Sequence, residues 1–151
     1  MKITIKIGFC VLFLASLISC KKDNNFPDEP VIEVRDFYKQ NNNIAIWKIG
    51  FTDGDGDIGV RNAADEDNFI VSIFSIIDGR ANEREGQAYR IPVVENIRTA
   101  AGIEGEFEFK IETDLLLLDS IPIDSAYYRA YVIDRSGNQS NTVETPIFST
   151  N

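Results

Sequence analysis

Histidine is absent from all 151 residues. With it go the Ser-His-Asp and Cys-His arrangements of nucleophilic catalysis and the usual His-containing zinc sites. Cysteine is nearly absent too: the chain has two, Cys10 and Cys20, both within its first twenty residues. The N-terminal apolar run, Ile7 through Ile18, is too short for a typical membrane-spanning helix, which needs about 20 apolar residues. Positive charge is scarce, with 15 Lys and Arg against 24 Asp and Glu and a formal charge of −9. Such a balance repels phosphate backbones, which excludes nucleic acid as a partner and favours cations.

What is present begins at the N-terminus. Lys2 and Lys6 precede the apolar run, giving the length and flanks of a secretory signal. In place of a small-residue cleavage site, the run ends in Leu17-Ile18-Ser19-Cys20. This resembles the lipobox of bacterial lipoproteins. The resemblance implies that residues 1–19 are a signal peptide and that Cys20 is lipidated and becomes the first residue of the mature chain. Each buried CH₂ contributes about 0.8 kcal/mol, and stable anchoring takes more than one chain, which a lipobox cysteine receives. Cys10 leaves with the signal and lipid consumes Cys20, so no disulfide forms in the mature chain, although export permits them. Residues 20–151 then carry 13 basic against 24 acidic side chains, a formal charge of −11.

Residues 20–30 follow as lipidated cysteine and flexible tether, since Lys21 to Pro30 (KKDNNFPDEP) is polar, contains two prolines and has no periodicity. Lys21-Lys22-Asp23 loosely resembles the outer-membrane export signal of Bacteroidota lipoproteins. That resemblance implies a cell-envelope location, at the outer membrane, with either face open. Residues 31–151 form one domain.

From Val31 onward the chain reads as short strands separated by turn clusters. Strands are expected over Val31–Tyr38, Ile44–Phe51, Phe69–Ile77, Ala88–Val94, Glu106–Glu112, Tyr127–Ile133 and Thr142–Phe148. Phe69–Ile77 is nearly all apolar, as a central strand would be. Pro92 points to an edge position for Ala88–Val94. In Glu106–Glu112, Phe107, Phe109 and Ile111 alternate with four charged residues, the pattern of a strand with one wet face. Residues Asp114–Ile121 are expected to form a short helical turn capped by Asp114. About seven strands predict an all-β antiparallel sandwich.

The stretch Tyr128-Arg129-Ala130-Tyr131-Val132 followed by Asp134-Arg135-Ser136-Gly137-Asn138-Gln139-Ser140 resembles the final hairpin of fibronectin-III-like and other bacterial Ig-like domains. The resemblance implies an Ig-like sandwich. Gly137 and Asn138 are the residues that tolerate positive φ in its turn.

The most distinctive stretch is Phe51-Thr52-Asp53-Gly54-Asp55-Gly56-Asp57-Ile58-Gly59. Carboxylates alternating with glycines can converge on one point, and calcium takes six to eight oxygen ligands. An EF-hand is excluded, because its obligatory glycine falls on Ile58 and its bidentate acid on Ala64. The loop resembles the D-x-D-x-D calcium loops of extracellular repeats and the FxDGDGDIG loop of small Bacteroidota outer-membrane lipoproteins. The candidate ligand set is Asp53, Asp55, Asp57, Asp65 and Asp67, with calcium as the cofactor. The plainer reading is a solvated acidic loop whose Asp-Gly pairs are turn chemistry. Crowded carboxylates repel without a cation among them, and Arg61 is the internal competitor for that role.

Other residues have plain structural readings. Glu106 and Glu108 read as a solvated strand face and not a glycosidase pair. Trp47 reads as core. Tyr127 and Tyr131 lie opposite Tyr128, forming an exposed patch or packing against the other sheet. Asp119-Ser120-Ile121 and Asp124-Ser125-Ala126 resemble the O-glycosylation sites of Bacteroidota at Ser120 and Ser125; as turn formers around Pro122 they are equally at home.

The function expected is a non-enzymatic, lipid-anchored module of the envelope that binds a protein or glycan or serves as a spacer. The alternative is a small calcium-dependent enzyme acting on polysaccharide. It needs the acidic loop beside a groove with exposed aromatics.

Overall fold

A computed structural model describes residues 26–62, 66–93, 98–99, 102–112, 123 and 125–149. Cys20, Asp65, Ser120 and the segment 114–121 lie outside them. The described residues form nine strands and no helix: β1 Val31–Asn41, β2 Ile44–Asp53, β3 Phe69–Ile77, β4 Arg80–Tyr89, β5 Arg98–Thr99, β6 Gly102–Glu112, β7 Ser125–Val132, β8 Val143–Glu144 and β9 Phe148–Ser149.

Successive residues of a strand point to opposite faces, and the sequence obeys this period where two sheets must meet. In β2, Ala45, Trp47, Ile49 and Phe51 enter the core. In β7 the inward set is Ala126, Tyr128, Ala130 and Val132. From β6, Ile103 and Ile111 are buried, and Phe107 and Phe109 pack half-buried against them. Glu104, Glu106, Glu108, Lys110 and Glu112 face water. Aromatic rings lock the sheets together. Phe69 meets Phe107 and Phe109 edge-on at centroid distances of 5.2 and 5.1 Å, and Trp47 lies 6.4 Å from Phe69.

All strand pairs named here are antiparallel. One sheet has the order β1-β2-β6-β5 and the other β4-β3-β7-β8, with β9 also pairing with β7. Labelled in chain order, this is the A-B-E-D against C′-C-F-G arrangement of an Ig-like sandwich. The expected fold class is therefore the one observed. Asn141 closes one gap in it. Its side-chain oxygen accepts from Ile32 N and its amide donates to Ile32 O, both at 2.8 Å, so it mimics a neighbouring strand at the β1 edge.

Three expectations change. The edge strand over Ala88–Val94 lies earlier, as β4. Its first seven residues, RANEREG, look like a charged loop because an edge strand exposes much of its length. Asp78 and Gly79, at φ of 50° and 72°, form the two-residue turn that joins it to β3. The two-residue β5 was not foreseen. The closing strand Thr142–Phe148 is broken into β8 and β9. In the β7–β8 turn only Gly137 takes positive φ, 88°; Asn138 does not, being held instead through its backbone and side-chain amides by the Asp134 carboxylate at 2.7 and 2.9 Å.

On the outer face of the second sheet, Phe74 stacks flat on Tyr127 at 4.8 Å and carries the Arg129 guanidinium at 4.5 Å from its ring centre. Arg129 is paired with Glu144 at 2.7 Å. Tyr127 and Tyr131 thus stand on the outer face, half-buried, while Tyr128 is core. Glu106 and Glu108 are solvated as expected, with Glu108 3.0 Å from Lys48. Ser125 opens β7, half-buried, opposite Ser149 and Ile76.

Candidate metal centre

The acidic loop leaves the end of β2, and the strand period decides what happens to its first residue. Asp53 continues the inward series Ala45, Trp47, Ile49, Phe51 and is fully buried, at 0% exposure. A buried carboxylate demands partners, and the loop curls back to supply them. Asp53 Oδ1 accepts from Gly56 N at 3.2 Å, and Oδ2 accepts from Asp57 N at 2.9 Å and Ile58 N at 2.7 Å. Gly56 adopts φ of 74° to make this fold-back. Gly59, at φ of 88°, lies so close to Pro92 that a Cβ would stand 2.6 Å from its carbonyl oxygen.

Asp55 and Asp57 are the next two carboxylates, exposed and half-buried respectively. One oxygen from each of Asp53, Asp55 and Asp57 lies within 4.8 Å of the others. Two oxygens bound to one calcium ion at 2.3–2.6 Å are at most about 5 Å apart, so the three can share an ion. Asp53 has room for it: two carboxylate oxygens offer about four lone pairs, of which three amides take three. Asp57 Oδ2 accepts from Ser136 Oγ at 2.8 Å, whereas its Oδ1 is buried without a hydrogen-bond partner among the described residues. These three aspartates can therefore hold a metal ion.

The electrostatics without an ion fall on Asp55. Desolvation of its carboxyl raises its pKa first, then a hydrogen bond to Asp53 and the charge of Asp57, to about 7 from an ordinary 3.8. A carboxyl raised in the folded state favours folding while protonated, so that contribution is present below about pH 4 and lost as pH climbs toward 7. Because Asp55 is exposed, solvent screening leaves only part of the shift as stability. In calcium-free buffer the unfolding midpoint should fall between pH 4 and pH 7 in the native chain and fall less in Asp55→Asn. Parallel pH profiles for the two would contradict this account.

Of the other expected ligands, Asp65 lies outside the described residues and Asp67 is not part of the cluster. Asp67 Oδ1 instead accepts two hydrogen bonds from Arg90, at 3.0 and 3.2 Å. Arg135 is a cation that organises the backbone of the loop. Arg135 donates to the carbonyls of Gly59 at 2.7 Å and Ile58 at 3.2 Å, and its backbone N–H donates to Asp57 O at 3.4 Å. It is carried by the β7–β8 turn, where Asp134 stays buried because it continues the inward phase of Tyr128, Ala130 and Val132. No local signal linked Arg135 to a loop nearly eighty residues away. Arg61 is exposed and lines the adjoining cavity.

That cavity, of about 530 Å³, shares Gly59 and Arg135 with the loop and is also lined by Asp67, Asn68 and Asp134. None of its described lining residues is aromatic. Buried Asn68 joins three segments beneath it: its side-chain oxygen accepts from Ile91 N, its N–H donates to Tyr89 O and its carbonyl accepts from Ile133 N. No protein-family model matches this chain, and no curated protein sequence does.

Proposed function

We propose that this protein is a lipid-anchored Ig-like module of the bacterial cell envelope, held at the outer membrane through Cys20, that binds a protein or glycan partner or serves as a structural spacer. In this reading it is not an enzyme, and calcium at Asp53, Asp55 and Asp57 stiffens the tip of the sandwich. The anchor is supported by the lipobox residues Leu17-Ile18-Ser19-Cys20. The calcium is supported by one observation above all: three carboxylates converge within 4.8 Å, and a buried Asp57 oxygen has no hydrogen-bond partner among the described residues. The convergence lies in a loop already shaped by Asp53, so little ordering remains for an ion to impose.

The test is thermal unfolding of residues 21–151 with and without calcium. A site of about 10⁻⁴ M, in the range of extracellular modules, stabilises by about 1.4 kcal/mol at about 1 mM calcium. That is roughly 5 °C in a domain of this size. The shift should vanish in Asp55→Asn combined with Asp57→Asn. An unchanged midpoint at millimolar calcium would remove the metal from the proposal. Hydrolytic or transferase activity in the same material, lost on replacing particular acids, would overturn the non-enzymatic part.

The alternative, a small calcium-dependent enzyme acting on polysaccharide, draws on the cavity beside the loop. That cavity supplies the concavity such an enzyme needs, without the aromatic stacking surface in its described lining.

A further inference from the structure

We infer that the end of the sandwich bearing the Asp53–Gly59 loop is the surface that faces the lipid headgroup layer, with the β1–β2 and β3–β4 turns held away from it. The inference rests on lipid attachment at Cys20 as proposed above, and adds which way the domain stands.

What carries it is the place where the N-terminal segment meets the fold. Gly54 N–H donates to the Pro27 carbonyl at 2.7 Å. A Cβ on Gly54 would stand 2.6 Å from that same oxygen, so glycine there permits the close approach. Pro30 is buried, and Val31 then opens β1 opposite Thr52, one residue from Asp53. The chain is thus fastened to the acidic loop before the first strand starts.

Cys20 lies only six residues before Phe26. Six residues reach at most about 20 Å when fully extended, and about 13 Å on average as a flexible coil. The opposite end of the sandwich is one β2 length away, roughly 30 Å for a ten-residue strand. A domain hung on so short a tether, fastened at one end, keeps that end toward the lipid. The surface chemistry there is mixed in sign: Arg61 and Arg135 line one cavity with Glu66 and Asp67, and Arg90 pairs with Asp67. It can meet the paired charges of a zwitterionic headgroup layer, whereas a purely acidic tip would find only half of them.

The full chain, made with its own signal in a lipidating bacterial host and reconstituted into phosphatidylcholine vesicles, tests this. With Cys10 removed and Cys20 alkylated, one added cysteine is the single free thiol for a donor dye. Asn62→Cys places it at the loop end and Asn42→Cys in the β1–β2 turn, and energy transfer to an acceptor lipid reads the distance from the membrane. With the labels roughly 30 Å apart along the strands, transfer from position 62 should exceed that from position 42 at least about twofold. Equal transfer, or stronger transfer from position 42, overturns the orientation. Inserting about ten Gly/Ser residues between Asn25 and Phe26 lengthens the mean reach to about 22 Å, and should shrink the difference. An unchanged difference would overturn the tether as its cause. Mass spectrometry of the same samples separates the two layers of the argument. A Cys20 without lipid overturns the anchoring itself, whereas equal transfer with lipid present overturns only the orientation.

Discussion

Replacing Asp53 with alanine is expected to destabilise the domain by about 4 kcal/mol, because hydrogen bonds to a charged group contribute about 1.5–3 kcal/mol each and three donors are orphaned together. The amides of Gly56, Asp57 and Ile58 lose their acceptor in a place where water enters only by opening the loop. Domains of this size are stable by about 5–15 kcal/mol, so the loss is a large share of the total. Asp53→Asn keeps one acceptor oxygen and should lose roughly half as much. The neighbouring substitution Asp55→Asn should act in the opposite sense at pH 8 without calcium. It removes a carboxylate whose ionisation the folded loop resists. Denaturant titrations of the three variants at pH 8, with and without calcium, check the pattern. If Asp53→Ala and Asp55→Asn shifted the midpoint in the same direction, the loop would not be built around Asp53 as described.

Strands that serve both sheets were legible in the sequence because burial wrote a period of two into them. β3 was read at its observed limits, and β6 showed its dry and wet faces through Phe107, Phe109 and Ile111 against the four charges between and beside them. β4 was misplaced for the complementary reason. It is an edge strand whose described side chains are largely exposed, so its composition follows solvent and not the core. The signal that would have found it is Asp78-Gly79, a two-residue turn directly after an apolar strand. β5 is only two residues long and leaves no pattern to read.

The candidate site was legible in its spacing and illegible in its division of labour. Alternating Asp and Gly after a strand pointed to converging carboxylates, and three of them do converge. That Asp53 is an interior organiser while Asp55 and Asp57 stand nearer to solvent follows from phase. Extending the inward series from Ala45 to Phe51 by one more step lands on Asp53. The same extension from Tyr128 through Val132 lands on Asp134, the other buried aspartate at this end. Arg135 and Ser136 reach the loop through tertiary approach of the β7–β8 turn, which no local pattern encodes.

Trp47→Ala should cost about 3–5 kcal/mol, the range for deleting a buried large aromatic side chain. The reason lies in where the chain puts its only tryptophan. Trp47 is 0% exposed in β2, pairs with Phe37 on one side and Phe109 on the other, and meets Phe69 across the sandwich. Its indole Nε1–H has no hydrogen-bond partner among the described residues. An orphaned buried donor carries a desolvation penalty of about 1–3 kcal/mol, so Trp47 stabilises by volume in spite of that group. Trp47→Phe separates the two effects: it leaves a smaller cavity and also removes the orphan donor, so its loss should be about 1–2 kcal/mol. Circular dichroism in a denaturant series reads all three proteins without relying on indole fluorescence. If Trp47→Phe were as damaging as Trp47→Ala, the indole nitrogen would have to hold a partner, and its role in the core would be polar as well as volumetric.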